Sequence, residues 1–302
     1  MKVGFIGLGA MGLPMAKRVL LSDHKIYTTF HRRREPAQEL AAMGAEILQN
    51  PGEVAAAAEV VITILPSDAE LNETVFGEAG ILDRFSNGKV LIEMTSGTDL
   101  AMQEVDEAIR TKGGSVLDAP VSGGTTAAEQ GTLTIMVGGD EPLLERCRPL
   151  LLAMGTRIVH VGGVGQGKVL KIVNQVMAAI HLLTIGEAFA LGIKCGADPR
   201  TLYEVIKTSS GYSKMMDLRL PGFLLEDSFK PGFKLDLMKK DINLALESAK
   251  ASNTPLLLTS VAAQLFSAVS AQGRGNEDFS AAAQFVAALA GVNLSQSKTN
   301  SA

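Results

Sequence analysis

The stretch that decides the fold lies near the start of the chain: Val3-Gly4-Phe5-Ile6-Gly7-Leu8-Gly9-Ala10-Met11-Gly12. Its apolar run predicts a buried strand, and Gly7, Gly9 and Gly12 form the G-x-G-x-x-G pattern of dinucleotide-binding folds. The first glycine permits a sharp turn, the second lets the backbone approach a pyrophosphate, and the third lets the following helix pack on the strand. The helix N-terminus then offers N–H groups to an anion. We therefore expect a dinucleotide-binding turn here; the alternative is an ordinary tight turn.

Length and composition favour two domains of α/β type. The chain has 302 residues, and a domain holds roughly 150 residues as a soft prior. Hydrophobic residues make up 46% of the chain, aromatic residues only 5%, and there is no Trp. The core must therefore be built from Ala, Leu, Val, Ile and Met, which suits helices packed on a parallel sheet better than an antiparallel sandwich.

Charge and cysteine content exclude several classes of protein. The formal net charge of −4 argues against a nucleic-acid partner. The two cysteines, Cys147 and Cys195, have no metal-binding spacing and indicate ordinary buried thiols in a reducing compartment. We expect no signal peptide, because the first apolar run is already the predicted strand. We therefore expect a cytoplasmic protein. Because neither cysteine has metal-binding spacing, we also expect no bound metal.

One apolar stretch, from Val176 to Ile193, raises the question of a membrane span. It contains His181, Thr184 and Glu187 and lies at the lower end of spanning length. We therefore expect a helix of a soluble protein, buried on most sides, and no membrane partner.

Predicted strands and helices alternate through the first half of the chain. After the glycine turn, strands are predicted over Lys25–Phe30, Val60–Leu65, Val90–Met94, Ser115–Val121, Leu133–Val137 and Arg157–Val161, and helices over Glu35–Met43 and Leu100–Lys112. This alternation predicts a Rossmann fold, that is, an α/β doubly wound sheet whose strands are mainly parallel.

From Gly167 onward the apolar periodicity is helical. Helices are predicted over Val169–Ile193, Thr201–Lys207, Leu237–Ser252 and Thr259–Gln272. We therefore expect a dinucleotide-binding domain over residues 1–164, an all-helical second domain over residues 165–294, and a disordered tail over residues 295–302.

The residues after the second predicted strand indicate the cofactor. In NAD-binding folds an acidic residue there binds the ribose 2′-hydroxyl, but this chain has His31-Arg32-Arg33-Arg34. Arginine clamps a phosphate with a fork of N–H donors, whereas an acid would repel it. The pattern predicts NADP, with NAD possible; the alternative is a solvated helix start without influence on cofactor choice.

Three later segments carry candidate chemistry. Asp118–Gly124 ends a strand in small residues, which suits either a carboxylate-binding loop or a simple exit from the sheet. In the second segment, Lys171, Asn174 and Gln175 share one helix face, where desolvation would favour the neutral amine used in proton transfer. The alternative there is a solvated lysine among ordinary polar residues. The third segment, Phe233–Ile242, could equally be a solvated helix start.

Together these segments resemble the β-hydroxyacid dehydrogenases, the group of 3-hydroxyisobutyrate dehydrogenase, tartronate semialdehyde reductase and glyoxylate/succinic semialdehyde reductase. The resemblance runs from Val3 to about Gly291. It rests on the glycine turn, on Asp118-Ala119-Pro120-Val121-Ser122-Gly123-Gly124, on the glycines and lysine of Gly165–Asn174, and on Lys240-Asp241.

The resemblance implies a role for each matching residue. Lys171 matches the catalytic lysine, and the substrate would be a small carboxylate, a short β-hydroxyacid or semialdehyde. Its implied contacts are Ser122, Gly123, Gly124, Asn174 and Gln175. The implied cofactor contacts are Gly7, Gly9, Ala10, Met11, Gly12, His31, Arg32, Arg33, Leu65, Pro66, Ser96 and Lys240.

The sequence leaves more than one possibility for the substrate and for the oligomeric state. Ser209-Ser210-Gly211 and Asp278-Phe279-Ser280 resemble 3-hydroxyisobutyrate dehydrogenases, whereas His31-Arg32-Arg33 is closer to the glyoxylate reductases. Imine reductases share the architecture but usually replace the lysine with Asp or Tyr, and a non-catalytic dinucleotide-binding protein is the other alternative. We expect the apolar helix over Val169–Ile193 to pack between subunits of a homodimer or homotetramer.

Overall fold

The computed structural model describes residues 1–296. The chain divides into two compact units, Met1–Lys171 and the part that begins at Ile172. The division falls a few residues after the predicted boundary at 164/165, which stays a prediction. Of the predicted tail, residues 297–302 lie outside the described residues.

The first unit is built on one sheet, which confirms the predicted fold class. Its strands are β1 (Lys2–Ile6), β2 (Lys25–Thr28), β3 (Glu46–Ile47), β4 (Val60–Thr63), β5 (Val90–Glu93), β6 (Ser115–Asp118), β7 (Val121–Ser122), β8 (Leu133–Gly139) and β9 (Gly155–Gly162). They follow the order β3-β2-β1-β4-β5-β6-β8-β7, and β9 also pairs with β8. Strands β1 to β6 pair in parallel, whereas β8 runs antiparallel to β6 and β7.

The predicted single strand Ser115–Val121 is wrong, because the structure breaks it into β6 and β7. Pro120 lies at the break and has no N–H group to donate to a neighbouring strand. After the break, Val121 pairs with Ile135 of the antiparallel β8 instead of continuing beside β5. The break turns the chain that follows, Ser122 to Gly124, away from the parallel ladder.

Helices cover both faces of this sheet. They are α1 (Gly12–Leu20), α2 (Glu35–Ala42), α3 (Pro51–Ala57), α4 (Asp68–Phe76), α5 (Asp99–Thr111), α6 (Gly124–Gln130) and α7 (Glu141–Leu152). The side chain of Asn50 caps α3 and that of Asp140 caps α7, each by accepting a backbone N–H three residues ahead. Strands such as β4 are buried on both faces, as parallel strands between helices must be.

Helix α8 (Gln166–Lys194) starts in the first unit and continues into the second. The second unit adds α9 (Pro199–Ile206), α10 (Lys214–Arg219), α11 (Leu235–Ala251), α12 (Leu257–Val269) and α13 (Ala281–Leu289). Its described residues contain no strand, only an isolated bridge between Lys234 and Asp278. Gly186 on α8 lies against the Ala283 backbone of α13, where an added Cβ would be 2.6 Å from the carbonyl oxygen.

Among the described residues, α8 is the one helix long and apolar enough to cross a membrane, with a mean hydropathy of 1.8 over its best window. Length and composition alone are weak evidence, because core helices of soluble proteins pass the same test. Within this single chain 44% of that window is buried, and burial of the helix on most sides stays a prediction. The exposed apolar residues follow one stripe along the helix: Leu170, Val173, Met177 and Leu191.

Candidate active site

The glycine turn after β1 has the shape that a dinucleotide requires. Gly7 has φ +103°, and a Cβ on Gly12 would lie 1.8 Å from the Gly7 carbonyl oxygen, so only glycine fits at these two positions. A Cβ on Gly9 would meet no atom of the described residues within 4 Å. No side chain caps the N-terminus of α1 within the described chain. The turn therefore leaves open space and polar backbone where a pyrophosphate would bind.

The basic segment after β2 is open to solvent. His31, Arg32, Arg33 and Arg34 are all exposed. The Arg34 guanidinium lies 5.4 Å from the ring centroid of Phe30, a cation–π distance. The segment follows β2, the neighbour of β1 in the sheet, so it stands beside the glycine turn at the carboxyl edge.

The loops after β4 and β5 are tied to one another. The Leu65 N–H donates a 2.9 Å hydrogen bond to Oγ1 of Thr95. Pro66 and Ser96 are the next residues of these loops; Pro66 is exposed and Ser96 is half-buried. Because β1, β4 and β5 are neighbours in the sheet, the structure brings Leu65, Pro66 and Ser96 to the same edge as the glycine turn.

Sequence patterns missed a buried ion pair at this edge. The side chains of Glu93 and Lys168 are both 0% exposed, and the Lys168 ammonium donates to the Glu93 carboxylate and to the Thr95 carbonyl oxygen. The Thr95 N–H donates back to Oε1 of Glu93 at 2.9 Å. The one available signal was a glutamate inside the apolar strand β5.

A second buried carboxylate, Asp118 at the end of β6, holds the start of α8. Its Oδ1 accepts from the Gly165 N–H at 2.8 Å, and its Oδ2 accepts from the Lys168 N–H at 2.9 Å. Burial raises the pKa of the Asp118 carboxyl, although these backbone N–H groups favour its charged form. Asp118 was visible in the sequence segment but was not predicted as a positioning group.

The predicted carboxylate loop is bare backbone that leads into α6. Ser122 ends β7 opposite Thr134. Gly123 has φ +136° and Gly124 has φ +70°, conformations that side-chain-bearing residues rarely adopt. The loop therefore presents main chain and one hydroxyl. This is compatible with both alternatives from the sequence, a carboxylate-binding loop and a simple exit from the sheet.

Lys171 is 6% exposed, so it is buried rather than solvated. It lies on the second turn of α8 and is the last residue of the first unit. Lys171 therefore lies inside the protein, one helical turn after Lys168, and its part in proton transfer stays a prediction.

The remaining predicted contacts lie in the second unit. Asn174 is exposed, whereas Gln175 is 5% exposed and donates a 2.8 Å hydrogen bond to Oδ2 of Asp241. Asn174 Nδ2 donates to Gln175 Oε1 at 3.1 Å. Lys240 Nζ lies 3.3 Å from Oδ1 of Asp241. Asp241 therefore joins Gln175 to Lys240, a link that their separation in sequence does not show.

The described residues contain no group of three or more His, Cys, Asp or Glu side chains that could hold a metal ion. The donors gathered at the carboxyl edge are instead backbone N–H groups, hydroxyls and lysines. Such a set suits an organic anion and a reacting carbonyl oxygen.

Known proteins match over nearly the whole chain. The family model described as the NAD binding domain of 6-phosphogluconate dehydrogenase matches residues 2–162. The model described as NAD-binding of NADP-dependent 3-hydroxyisobutyrate dehydrogenase matches residues 165–286.

Two relatives and one solved structure illustrate the similarity. The 2-(hydroxymethyl)glutarate dehydrogenase of Eubacterium barkeri is 39% identical over 97% of this chain and 97% of that protein. The 2-hydroxy-3-oxopropionate reductase of Escherichia coli (strain K12) is 35% identical over 97% of this chain and 100% of that protein. A Mycobacterium tuberculosis 3-hydroxyisobutyrate dehydrogenase structure with L-serine has a TM-score of 0.88 at 31% identity, over 94% of this chain and 98% of that one. The chain therefore belongs to the β-hydroxyacid dehydrogenase family and is an NAD(P)-binding oxidoreductase of the group that includes 3-hydroxyisobutyrate dehydrogenase.

Proposed function

We propose that the protein is an NADP-dependent oxidoreductase that interconverts a short β-hydroxyacid and its semialdehyde, with Lys171 as the general acid and base. The observation that carries the proposal is the burial of Lys171 on α8, one turn after the residues that Asp118 holds. Lys171 also stands at the position of the catalytic lysine in the family pattern that the chain resembles.

In this mechanism the bound cofactor supplies or takes up a hydride. The backbone and hydroxyl of Ser122–Gly124 bind the carboxylate of the substrate and so fix the position of its carbonyl. During reduction, Nζ of Lys171 donates a proton to the carbonyl oxygen as negative charge develops there. During oxidation the neutral amine accepts the hydroxyl proton. Asn174 and Gln175 would bind substrate oxygens, Gln175 being oriented by Asp241.

The cofactor contacts follow from the shape of the carboxyl edge. Gly7, Gly9 and Gly12, with Ala10 and Met11 between them, would hold the pyrophosphate. Leu65, Pro66 and Ser96 would line the nicotinamide side, and Lys240 matches the cofactor-contacting lysine of the family pattern. These contacts are supported by the open space at Gly9 and by the match of each position to the family pattern.

Preference for NADP over NAD would come from the arginines after β2. Arg32 and Arg33 are exposed and follow β2 directly, where an acid would otherwise bind the ribose 2′-hydroxyl. His31 stands at the position of that acid. A guanidinium pairs with a 2′-phosphate through two parallel hydrogen bonds, so the segment favours the phosphorylated cofactor.

A kcat/KM panel with both cofactors tests these proposals. Suitable substrates are glyoxylate, succinic semialdehyde, tartronate semialdehyde and methylmalonate semialdehyde, because one methyl or hydroxyl group changes binding by only about 1–3 kcal/mol in an apolar pocket. We expect turnover of at least one semialdehyde, faster with NADPH. Turnover restricted to cyclic imines, or tight NADPH binding without any turnover, would contradict the proposal.

We also propose that the enzyme is a homodimer or homotetramer in the cytoplasm. The exposed apolar stripe of α8 supports assembly, because water-facing Leu, Val and Met along a single helix face are typical of an interface. Free thiols at Cys147 and Cys195 support a reducing compartment. Light scattering tests the first proposal and cell fractionation the second; a monomer or a membrane-bound fraction would contradict them.

A further inference from the structure

Burying the ion pair of Lys168 and Glu93 costs free energy. Both side chains are fully shielded from solvent, and transferring two charges out of water costs more than an apolar pair of the same volume. Residues that would fill this space more cheaply, such as Met and Leu, are abundant in this chain. The pair therefore calls for a role beyond stability.

What the pair holds is the backbone of Thr95. The Lys168 ammonium donates to the Thr95 carbonyl oxygen, and Glu93 accepts from the Thr95 N–H. The hydroxyl of Thr95 in turn accepts from the Leu65 N–H. The pair therefore fixes both loops after β4 and β5, and these loops carry the proposed nicotinamide contacts.

The same lysine is held at its backbone. Its N–H donates to Asp118, the residue that pairs with Glu93 across the parallel β5–β6 ladder. One residue is thus anchored at both ends by carboxylates of neighbouring strands. Lys168 also lies one helical turn before Lys171, so this anchoring fixes the rotation of α8 from which Lys171 projects.

We propose that Lys168 is a positioning residue, which sets the place of Lys171 relative to the loops that hold the nicotinamide ring. This inference rests on the proposed function. Lys168 is 1% exposed, so it acts through Thr95 and α8 and does not touch the substrate. A displacement of about 1 Å between reacting groups can lower a rate by about 10²-fold, so such an anchor has a measurable effect.

The test uses a charge-free double variant, because Lys168→Met alone would leave Glu93 buried without a counter-ion. In Lys168→Met/Glu93→Gln, the side-chain oxygen of the glutamine can still accept from the Thr95 N–H. The Lys168 ammonium, which donates to the Thr95 carbonyl oxygen, is lost. The control is Lys89→Met. Lys89 precedes β5 at the opposite end and donates to the carbonyl oxygens of Ala55 and Ala58.

Four quantities are measured on each folded variant: the Kd of NADPH by fluorescence titration, the kcat and the KM for the best semialdehyde, and the kinetic isotope effect with NADPH deuterated at C4. We expect the double variant to bind NADPH about 10-fold more weakly and to lose between about 10-fold and 100-fold in kcat, with a larger isotope effect. Lys89→Met should lower Tm while leaving all four quantities near wild type.

Each outcome bears on the proposal. A folded double variant with wild-type Kd, kcat and isotope effect would overturn it, since only a structural role would then remain. Equal losses in Lys89→Met would overturn it as well. If the wild-type enzyme turns over no semialdehyde, the proposed function fails, whereas the Kd of NADPH still tests whether Lys168 orders the cofactor loops.

Discussion

Glu93 and Asp118 are direct partners across the parallel β5–β6 pair, and both carboxylates bind Lys168, one through the ammonium and the other through the backbone N–H. Both lie at the carboxyl ends of their strands, the edge at which open α/β sheets bind ligands. The start of helix α8 is thereby fastened to the sheet by two buried charges. The proposed general acid, Lys171, is carried by the next turn of that helix.

Substitutions at two glycines of the turn should separate an effect on NADPH binding from an effect on stability. Gly9→Ala should leave the Tm of the protein without cofactor unchanged, because the new Cβ meets open space, but should weaken NADPH binding by at least about 10-fold. Gly12→Ala should lower Tm itself, since its Cβ would lie 1.8 Å from the Gly7 carbonyl oxygen. Thermal melts and NADPH titrations check both. Unchanged NADPH affinity in Gly9→Ala would place the pyrophosphate elsewhere.

Cofactor preference should depend on the arginines after β2. A charged hydrogen bond contributes about 1.5–3 kcal/mol, so Arg33→Ala should lower kcat/KM for NADPH by roughly 10- to 150-fold and leave that for NADH nearly constant. Arg148→Ala is the control, because this arginine pairs with Glu145 on the surface of α7. Equal losses with both cofactors in Arg33→Ala would argue against recognition of the 2′-phosphate.

The two thiols should differ sharply in reactivity. Burial raises the pKa of the Cys147 thiol, so less of the reactive thiolate is present between pH 7 and 8. Cys195 is exposed. A disulfide reagent should therefore modify Cys195 quickly in the native protein, and Cys147 only after denaturant is added. Cys195→Ser should abolish the fast phase; a fast phase that persists in this variant would contradict the buried placement of Cys147.

Assembly should depend on the exposed stripe of α8. Leu191 is 68% exposed, and Leu191→Glu should shift the mass measured by light scattering towards that of the monomer. Leu21→Glu is a matched control, because Leu21 is 67% exposed but follows α1 in the first unit. An unchanged mass in Leu191→Glu, or a wild-type monomer at micromolar concentration, would exclude this stripe as the interface.

Local signals were sufficient for much of the fold. The β1 strand, its glycine turn and α1 were predictable because the strand, the turn and the helix start are encoded within a few consecutive residues. Helices α3 and α7 could have been predicted as well, since Asn50-Pro51 and Asp140 followed by Pro142 are recognisable N-terminal signals. Helix α6 begins at Gly124 with Thr125 and Thr126, which are poor helix formers, so its signal was weak.

The candidate site shows where sequence reasoning ended. Lys171 could be named because it matches a family pattern, and the structure adds that it is buried. Lys168 gave no such signal, because its partner Glu93 lies 75 positions earlier in the sequence. The pairing of β5 with β6 places Glu93 beside Asp118, which binds the Lys168 N–H. The link from Gln175 to Asp241, 66 positions later, was not predictable either, because it joins two helices, α8 and α11, that are distant in sequence.

The most direct test of the account is the kcat of Lys171→Met with NADPH and the best semialdehyde, measured together with the Kd of NADPH. General acid–base catalysis contributes about 10²–10⁴-fold, so we expect kcat to fall by at least about 10²-fold while the Kd of NADPH stays within about twofold. A variant that binds NADPH normally and retains near wild-type kcat would contradict the role of Lys171.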